Sequence, residues 1–202
     1  MSPIRKTSPS TCRTLLQQAQ TGSAGAWTEL VAIYRPYLFA WLTSWGLPHH
    51  ESEDLTQETL AVVARELGSF EHSGRPGAFR CWLRRILVRR ARAFWRRERR
   101  RTQIQSLPPE HLLGELEDSA SESARRWDME HDLHVVRTVL ARLETQFDAA
   151  SLTAFRRLMF DEAPPVLVAQ ELGMTVGAVY SAKSRVLRRL RTEAGDLLGN
   201  DG

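Results

Sequence analysis

Lysine is almost missing from this 202-residue chain. All but two of its 28 lysine and arginine residues are arginines, and the two lysines are Lys6 and Lys183. Arginine forms paired hydrogen bonds with phosphates and guanine edges and stacks on bases, which lysine does not do. The net charge is only +4, so the position of the arginines along the chain is more informative than the total charge.

Cysteine is also scarce, and this excludes several kinds of site. Cys12 and Cys81 are far apart and form no CxxC pair, so we predict neither a zinc site nor a disulfide framework. His131 and His134 share a helix face, but such a pair more often packs or faces water than binds a metal. No phosphate-binding loop or nucleophile motif occurs. We therefore predict no catalytic residue, no metal and no cofactor.

Long apolar runs and strand-like patterns are missing as well. No apolar run approaches the length that spans a membrane, and the first residues do not resemble a signal peptide. We therefore expect a cytoplasmic protein without a membrane partner. No segment alternates with the period of a β-strand, whereas apolar residues recur at intervals of three and four. The pattern predicts an all-α fold.

The segment 79–101 has the most unusual composition in the chain. It reads FRCWLRRILVRRARAFWRRERRR, with eleven arginines and a single acid, Glu98. Its apolar residues step by three and four, which predicts one amphipathic helix with a buried stripe and an arginine-covered outer face. The stripe consists of Phe79, Trp82, Leu83, Ile86, Leu87, Phe94 and Trp95. Because like charges repel, a polyanion is the usual partner of such a helix, and nucleic acid is the first hypothesis.

A second motif lies near the end of the chain, in residues 166–191. This segment, VLVAQELGMTVGAVYSAKSRVLRRLR, has the pattern of a helix-turn-helix. Ala169 is small where two helices must cross, Gly173 supplies the turn, and Thr175 can cap the second helix. The inward positions are Val176, Val179, Ala182, Val186 and Leu190. The outer face, suited to base edges and phosphates, carries Gly177, Ala178, Ser181, Lys183, Ser184, Arg185 and Arg188.

The two motifs suggest two helical domains joined by a flexible linker. Residues 102–123 are acidic, contain Pro108 and Pro109, and offer few apolar anchors. We predict a first domain over residues 11–101, a linker over 102–130, and a second, helix-turn-helix domain over 131–195.

The order of the motifs resembles a bacterial sigma factor of the extracytoplasmic-function group. The segments that carry the resemblance are DLTQE at 54–58, FRCWLRRI at 79–86 and LGMTVGAVYSAKSRVLRRLR at 172–191. The resemblance implies sigma domains two and four without the third. It also implies a sigma factor that binds core RNA polymerase and directs promoter recognition and transcription initiation, and it leaves room for an anti-sigma factor.

The resemblance assigns roles to individual residues. The beta-prime clamp of the polymerase would bind Asp54, Gln57 and Glu58, which lie at helical offsets of three and four on one polar face. The minus-ten promoter element would be held by Arg80, Arg84, Arg85, Arg89, Arg92 and Arg96. The helix-turn-helix would touch the beta flap and read the minus-thirty-five element through Thr175, Gly177, Ala178, Ser181, Lys183, Ser184, Arg185 and Arg188.

The sequence departs from the family pattern at two positions and leaves other classes of protein open. Arg89 stands where the family usually has Asn, and Ala93 where it often has Asp, so minus-ten specificity is expected to differ. A stand-alone helix-turn-helix transcriptional regulator would account for residues 165–192 but not for the arginine helix. A recombinase or nuclease with an appended helix-turn-helix, or an RNA binder that uses the arginine helix alone, fits fewer features. Co-purification with core polymerase separates the sigma factor from the regulator.

Overall fold

The computed structural model describes residues 14–71, 73, 75, 77–102 and 110–198. Within these ranges the regular structure consists of α-helices and short 3-10 turns without a strand, which confirms the all-α prediction. None of the helices in the described ranges is long and apolar enough to cross a bilayer. Residues 11–13 and 103–109, assigned above to the first domain and the linker, lie outside the described residues.

Four helices form the first part of the chain: α1 (Leu15–Gln20), α2 (Ala24–Ser44), α3 (His49–Glu66) and α4 (Ala78–Thr102). α2 packs on α1 and α3, and α3 packs on α4. The hydroxyls of Thr14 and Ser23 cap α1 and α2 by accepting hydrogen bonds from backbone N–H groups three residues later. Packing of these helices therefore places the acidic helix α3 beside the arginine helix α4.

α2 continues through Pro36, which the sequence predicts to kink or divide the helix. Proline lacks an N–H group, so the carbonyl four residues earlier, that of Ala32, loses its helical partner. Ala32 and Pro36 are both exposed, so water can replace the missing donor. Because the defect lies on the solvent side, the helix is not divided.

The segment predicted as a flexible linker contains ordered helices, and this corrects the sequence analysis. α5 (Glu110–Glu117) and α6 (Glu122–Leu143) lie partly or wholly within residues 102–130. Leu113, Leu116, Ala124 and Trp127 are each at most 3% exposed. Leu113 and Leu116 are three residues apart, as are Ala124 and Trp127; this spacing is helical, but the acidic composition around them conceals it. The division of the chain into two functional domains stays a prediction.

Three helices form the end of the chain: α7 (Ala149–Met159), α8 (Pro165–Leu172) and α9 (Val176–Ala194). α8 ends at Gly173 in the left-handed conformation, with φ of 63°, which glycine adopts without strain. The Thr175 hydroxyl then accepts a hydrogen bond from the Ala178 N–H at 3.1 Å and caps α9. These contacts confirm the predicted helix-turn-helix.

The inward face of α9 agrees with the prediction at four of five positions. Val179, Ala182, Val186 and Leu190 are at most 1% exposed. Val176, predicted to face inward, is 37% exposed because it is the first residue of the helix and has no preceding turn to cover it.

One main hydrophobic core extends through the chain, and α6 connects its two ends. The first half of α6 buries Trp127 against Tyr37 and Trp41 of α2, with ring centroids 4.9 and 5.0 Å apart. The second half buries Leu140 and Leu143, where α6 packs on α9. A smaller core holds α7, α8 and α9 together. It consists of Ala154, Val168, Ala169, Val179 and Ala182. α6 therefore contacts both the first four helices and the helix-turn-helix, and α1 packs on α9 as well.

Replacing Trp127 with alanine is expected to destabilise the fold by about 3–5 kcal/mol, because it removes a large, fully buried ring between α6 and α2. Urea denaturation followed by circular dichroism measures the change in the free energy of unfolding. Met129→Ala is the matched control on the same helix, since Met129 is 70% exposed and should change stability by no more than about 0.5 kcal/mol. Equal effects of the two substitutions would show that α6 does not pack on α2 in solution.

Candidate nucleic-acid interface

α4 carries the arginines on a helix whose opposite side is fully buried. Phe79, Leu83, Ile86 and Leu87 are 0% exposed, and they fix the rotation of the helix against the core. Phe94 and Trp95 are also buried, at 7% and 9% exposed, so they pack instead of presenting rings to solvent. The predicted buried stripe is confirmed at six of its seven positions, whereas Trp82 is half-buried.

Arg80 and Arg84, two of the six arginines predicted to contact the minus-ten element, are buried against α6. The Arg84 side chain is 4% exposed, and its Nη1 donates to the Asp128 carboxylate at 2.9 Å and to the Ala124 carbonyl at 3.1 Å. The Arg80 side chain is 14% exposed and pairs with Asp128 at 3.3 Å and with Asp132 at 3.1 Å. In this arrangement neither guanidinium is available to DNA.

Gly77, just before α4, makes room for one of these arginines. Its φ of 73° lies in the left-handed region that favours glycine. A Cβ at this position would collide with the guanidinium of Arg80. The missing side chain of Gly77 thus leaves the space in which Arg80 lies against α6.

The other four predicted minus-ten arginines differ in their accessibility. Arg85, Arg89 and Arg96 are exposed. Arg89, the residue that departs from the family pattern, is 62% exposed and lies 3.6 Å from a carboxylate oxygen of Glu66. Arg92 is partly covered and pairs with Glu117 of α5. The structure therefore leaves one strip of α4 open and covers the neighbouring one.

The acidic residues of α3 form a separate polar surface. Asp54 and Gln57 are exposed, whereas Glu58 is partly buried and pairs with Arg90 of α4. Together with Phe94 and Arg97 of α4 they line an open groove of about 390 Å³. The three residues predicted to bind polymerase thus lie side by side, as their helical spacing requires.

The outer face of α9 is largely open to solvent. Ala178 and Lys183 are half-buried, and the exposed members of the predicted set are Thr175, Gly177, Ser181, Ser184, Arg185 and Arg188. Arg185 Nη2 donates to the buried Ser151 hydroxyl of α7 at 2.9 Å, which restrains its guanidinium. Six of the eight predicted residues are thus exposed at the start and on the outer side of α9, whereas Lys183 lies beside the buried Val179 and Leu190 around the helix.

Sequence reasoning missed one residue of this face, Tyr180. Its side chain is 50% exposed, in the middle of the predicted set. The available signal was its spacing, since it lies three residues after Gly177 and four before Ser184. An exposed aromatic ring with a hydroxyl at this position can contact a base or a partner protein.

A buried polar cluster joins α6 to α2 beneath the covered arginines. His131 is 0% exposed; its Nε2 lies 3.0 Å from the Tyr34 hydroxyl and its Nδ1 lies 2.9 Å from the Asp132 carboxylate. Because the carboxylate accepts, Nδ1 carries the hydrogen and Nε2 accepts from Tyr34. The Tyr37 hydroxyl donates to the Trp127 carbonyl at 2.9 Å. These bonds require α6 to stay in one register on α2.

Burial sets the protonation of this cluster. It is the largest cause that lowers the pKa of His131 below its ordinary value, although the hydrogen bond to Asp132 acts in the opposite direction. Burial also raises the pKa of the Tyr34 hydroxyl well above its usual range. His131 and Tyr34 are therefore both neutral at pH 7, while Asp132 is paired with Arg80.

Comparison with known proteins gives a match to one protein family and similarity to two curated proteins. Residues 30–101 match the family described as Sigma-70 region 2. The ECF RNA polymerase sigma factor SigE of Mycolicibacterium smegmatis is 30% identical over 172 residues, which are 82% of this chain and 60% of SigE. The RNA polymerase sigma factor CnrH of Cupriavidus metallidurans is 28% identical over 182 residues, which are 88% of this chain and 91% of CnrH.

A solved structure is also similar in part. The structure of an RsbN–BldN complex matches with a TM-score of 0.33 and 18% identity, covering 87% of this chain and 96% of that one. Among the curated relatives, the chain spans less than two thirds of the length of SigE but about nine tenths of CnrH.

Acidification is expected to destabilise the fold through His131. The unfolded chain takes up a proton near pH 6.5, whereas the folded chain, with its lowered pKa, does so only at a lower pH. The free energy of unfolding should be insensitive to this group above pH 6.5 and fall below it, by up to about 1.4 kcal/mol per pH unit. Urea denaturation of the intact protein between pH 7.5 and 5 measures this slope, at roughly half-unit steps.

His131→Asn should be less stable at neutral pH, because it loses ring packing, but its stability should depend less on pH below 6.5. His50→Asn is the control, since that imidazole is 77% exposed. Identical slopes for His131→Asn and the unmodified protein would contradict the buried, neutral state of this histidine.

Proposed function

This chain belongs to the sigma factors of the extracytoplasmic-function group, and we propose that it binds core RNA polymerase and directs it to promoters. The observation that carries the proposal is the combination of two features in one chain. The family match covers the arginine helix α4 and the acidic helix α3, and a separate helix-turn-helix follows with its recognition face exposed. A stand-alone regulator would need only the second feature.

The polymerase contact is assigned to the exposed carboxylate and amide of α3. Asp54 and Gln57 are free to meet a basic or polar surface, and Glu58 is held in place by Arg90. The adjacent groove, lined by Phe94 and Arg97, supports insertion of a partner side chain between α3 and α4. We assign this surface to the beta-prime clamp.

Contact with the minus-ten element is assigned first to the open strip of α4. Arg85, Arg89 and Arg96 can bind phosphates without any change in the fold. Because Phe94 and Trp95 are buried, α4 offers no exposed aromatic ring from this pair on which an unpaired base could stack. Holding a melted strand would therefore depend on guanidinium groups, which bind phosphates and stack on bases. Arg89 in place of the usual Asn is the position at which specificity should differ.

Contact with the minus-thirty-five element is assigned to α9. Its first turns present small and hydroxyl side chains, among them Ser181 and Ser184, which allow the helix to approach base edges closely. Arg185 and Arg188 follow in the sequence, and we assign them to the phosphates that flank this element. Tyr180 adds an aromatic contact at the same face, suited to DNA or to the beta flap.

The proposal divides the chain by function into residues 11–101 for polymerase and the minus-ten element and 131–195 for the minus-thirty-five element. It locates the protein in the cytoplasm, where its polymerase works. The proposed function needs no catalytic group. Unstacking a base costs about a few kcal/mol, and contacts between the protein and the extruded strand offset this cost. The proposal includes an anti-sigma factor as a further partner but assigns no residues to that contact.

The direct test is transcription in vitro with purified core polymerase and a library of genomic fragments, followed by mapping of the start sites. The proposal expects new start sites that share two sequence elements at constant spacing and depend on this protein. Co-purification of the protein with core enzyme is the accompanying measurement. Specific DNA binding without any polymerase contact would favour the stand-alone regulator.

Asp54→Lys combined with Gln57→Ala is expected to weaken binding to core polymerase by about tenfold or more, because the two residues form the exposed centre of the α3 surface. Helix content should not change. Fluorescence anisotropy with labelled protein measures the affinity. Glu71→Lys, an exposed acid beyond α3, is the matched charge control and should bind normally. Equal affinities of both variants for core polymerase would show that α3 is not part of the polymerase interface.

Ser184→Ala is expected to reduce discrimination between the upstream promoter element and scrambled DNA by about 1–3 kcal/mol, if the side chain contacts a base. Arg188→Ala should instead weaken binding to both sequences and lower the slope of log affinity against log salt by about 1. Both changes lie on the exposed face of α9 and should leave the fold intact. The orientation assigned to α9 would be wrong if both variants lost affinity equally on specific and scrambled DNA.

A further inference from the structure

Three carboxylates from α5 and α6 lie along one strip of the arginine helix. Asp132 and Asp128 pair with Arg80, Asp128 pairs with Arg84, and Glu117 pairs with Arg92. Arg84 follows Arg80 by four residues and Arg92 follows Arg84 by eight, so the three lie within a sector of about 120° around α4. The segment that connects the arginine helix to the helix-turn-helix thus places a row of negative charges on it.

These pairs are closed to solvent at one end of the strip and more open at the other. Arg84 and Arg80 are 4% and 14% exposed, and Arg84 also donates to the Ala124 carbonyl, so α6 surrounds both guanidinium groups. Arg92 and Glu117 are 32% and 40% exposed. A phosphate could reach Arg92 by displacing one carboxylate, but it reaches Arg84 and Arg80 only if α6 moves.

The carboxylates of this row bind the arginines in the same way as the phosphates of a nucleic acid would. A guanidinium binds carboxylate and phosphate through the same charge-assisted hydrogen bonds. Asp128, Asp132 and Glu117 therefore offset the charge of these three arginines in the absence of nucleic acid and reduce the repulsion that an uncovered arginine helix would have. The apolar side chains of the segment, Trp127 and Leu116 among them, hold the acids in position.

We propose that residues 110–132 are an internal competitor for nucleic acid, which covers Arg80, Arg84 and Arg92 in the free protein and must leave α4 before these residues bind DNA. The inference rests on the proposed role of α4 in holding promoter DNA. The exposed Arg85, Arg89 and Arg96 give DNA a first contact on the neighbouring strip while the segment is closed. Full engagement of the arginine helix then requires displacement of α6.

The test measures DNA binding by the intact protein without polymerase. Asp128→Asn with Asp132→Asn keeps side-chain size and removes the competing charges. The variant should bind a random-sequence duplex more tightly at low salt. The slope of log affinity against log salt should become steeper by about 0.9 for each freed arginine that engages a phosphate, or about 1.8 for Arg80 and Arg84 together. Hydrogen exchange of peptides from 122–132 should be faster, because α6 is released.

The matched control is Glu122→Gln with Glu130→Gln, which changes the net charge equally on the same helix. Glu122 is exposed, and Glu130 pairs with Arg126 of α6 itself. A second variant, Glu117→Gln, leaves no buried charge unpaired and keeps the proposal testable if the double aspartate variant does not fold. It should steepen the salt slope by about 0.9, relative to Glu122→Gln.

The proposal is overturned if the folded aspartate variant and Glu117→Gln bind DNA with the same affinity and salt slope as their charge controls. Transcription with core polymerase separates this failure from failure of the proposed function. If the unmodified protein directs initiation but its charge variants bind free DNA no better than the controls, the competitor role alone is wrong. If it directs no initiation and does not bind core enzyme, the proposed function is wrong.

Discussion

The pairing of two buried arginines with two aspartates is the constraint on which the arrangement of the helices depends. A guanidinium that leaves water loses several kcal/mol of hydration unless opposite charges and hydrogen bonds replace it. Arg80 and Arg84 are one helical turn apart on α4, and Asp128 and Asp132 are one turn apart on α6. Only one register of α6 along α4 satisfies both.

That register determines the contacts of α6 with α2. It places Trp127 against the ring of Tyr37 and brings His131 to the hydroxyl of Tyr34. Replacing a buried ion pair with apolar side chains is often neutral for stability, whereas removing one partner is strongly destabilising. The ion pairs therefore select one packing of α6, and burial of the aromatic rings supplies most of its stability.

Much of the fold follows from local patterns and could be predicted from the sequence. The helix-turn-helix depends on neighbours in the chain, with Gly173 at the turn and Thr175 at the cap, so its signals lie within one short segment. The order of α5, and the packing of the first half of α6, could not be read in the same way. Leu113 and Trp127 are buried by α4 and α2, which are distant in sequence, and the acidic residues around them suggest a solvated linker.

The sequence predicts which residues of the candidate site share a helix face, but not which of them are exposed. Helical spacing placed Asp54 and Gln57 together on α3 and the recognition residues together on α9. It gave no means of telling Arg84, which is buried, from Arg85, which is exposed, because the difference depends on which strip of α4 receives α6. Arginine content alone indicates a polyanion partner, whereas tertiary packing decides which guanidinium groups can reach it.

α6 is a single unbroken helix of 22 residues, about 33 Å long, with the arginine helix at one end and α9 at the other. α9 also packs on α1, and the 3-10 turn Gly195–Leu197 that follows it contacts α1 and α4, so both ends of α6 belong to one shared core. An inserted or deleted residue in α6 would rotate the positions beyond it by about 100° and put one end of the helix out of phase with its contacts. The length of α6 is therefore fixed by the contacts at both of its ends.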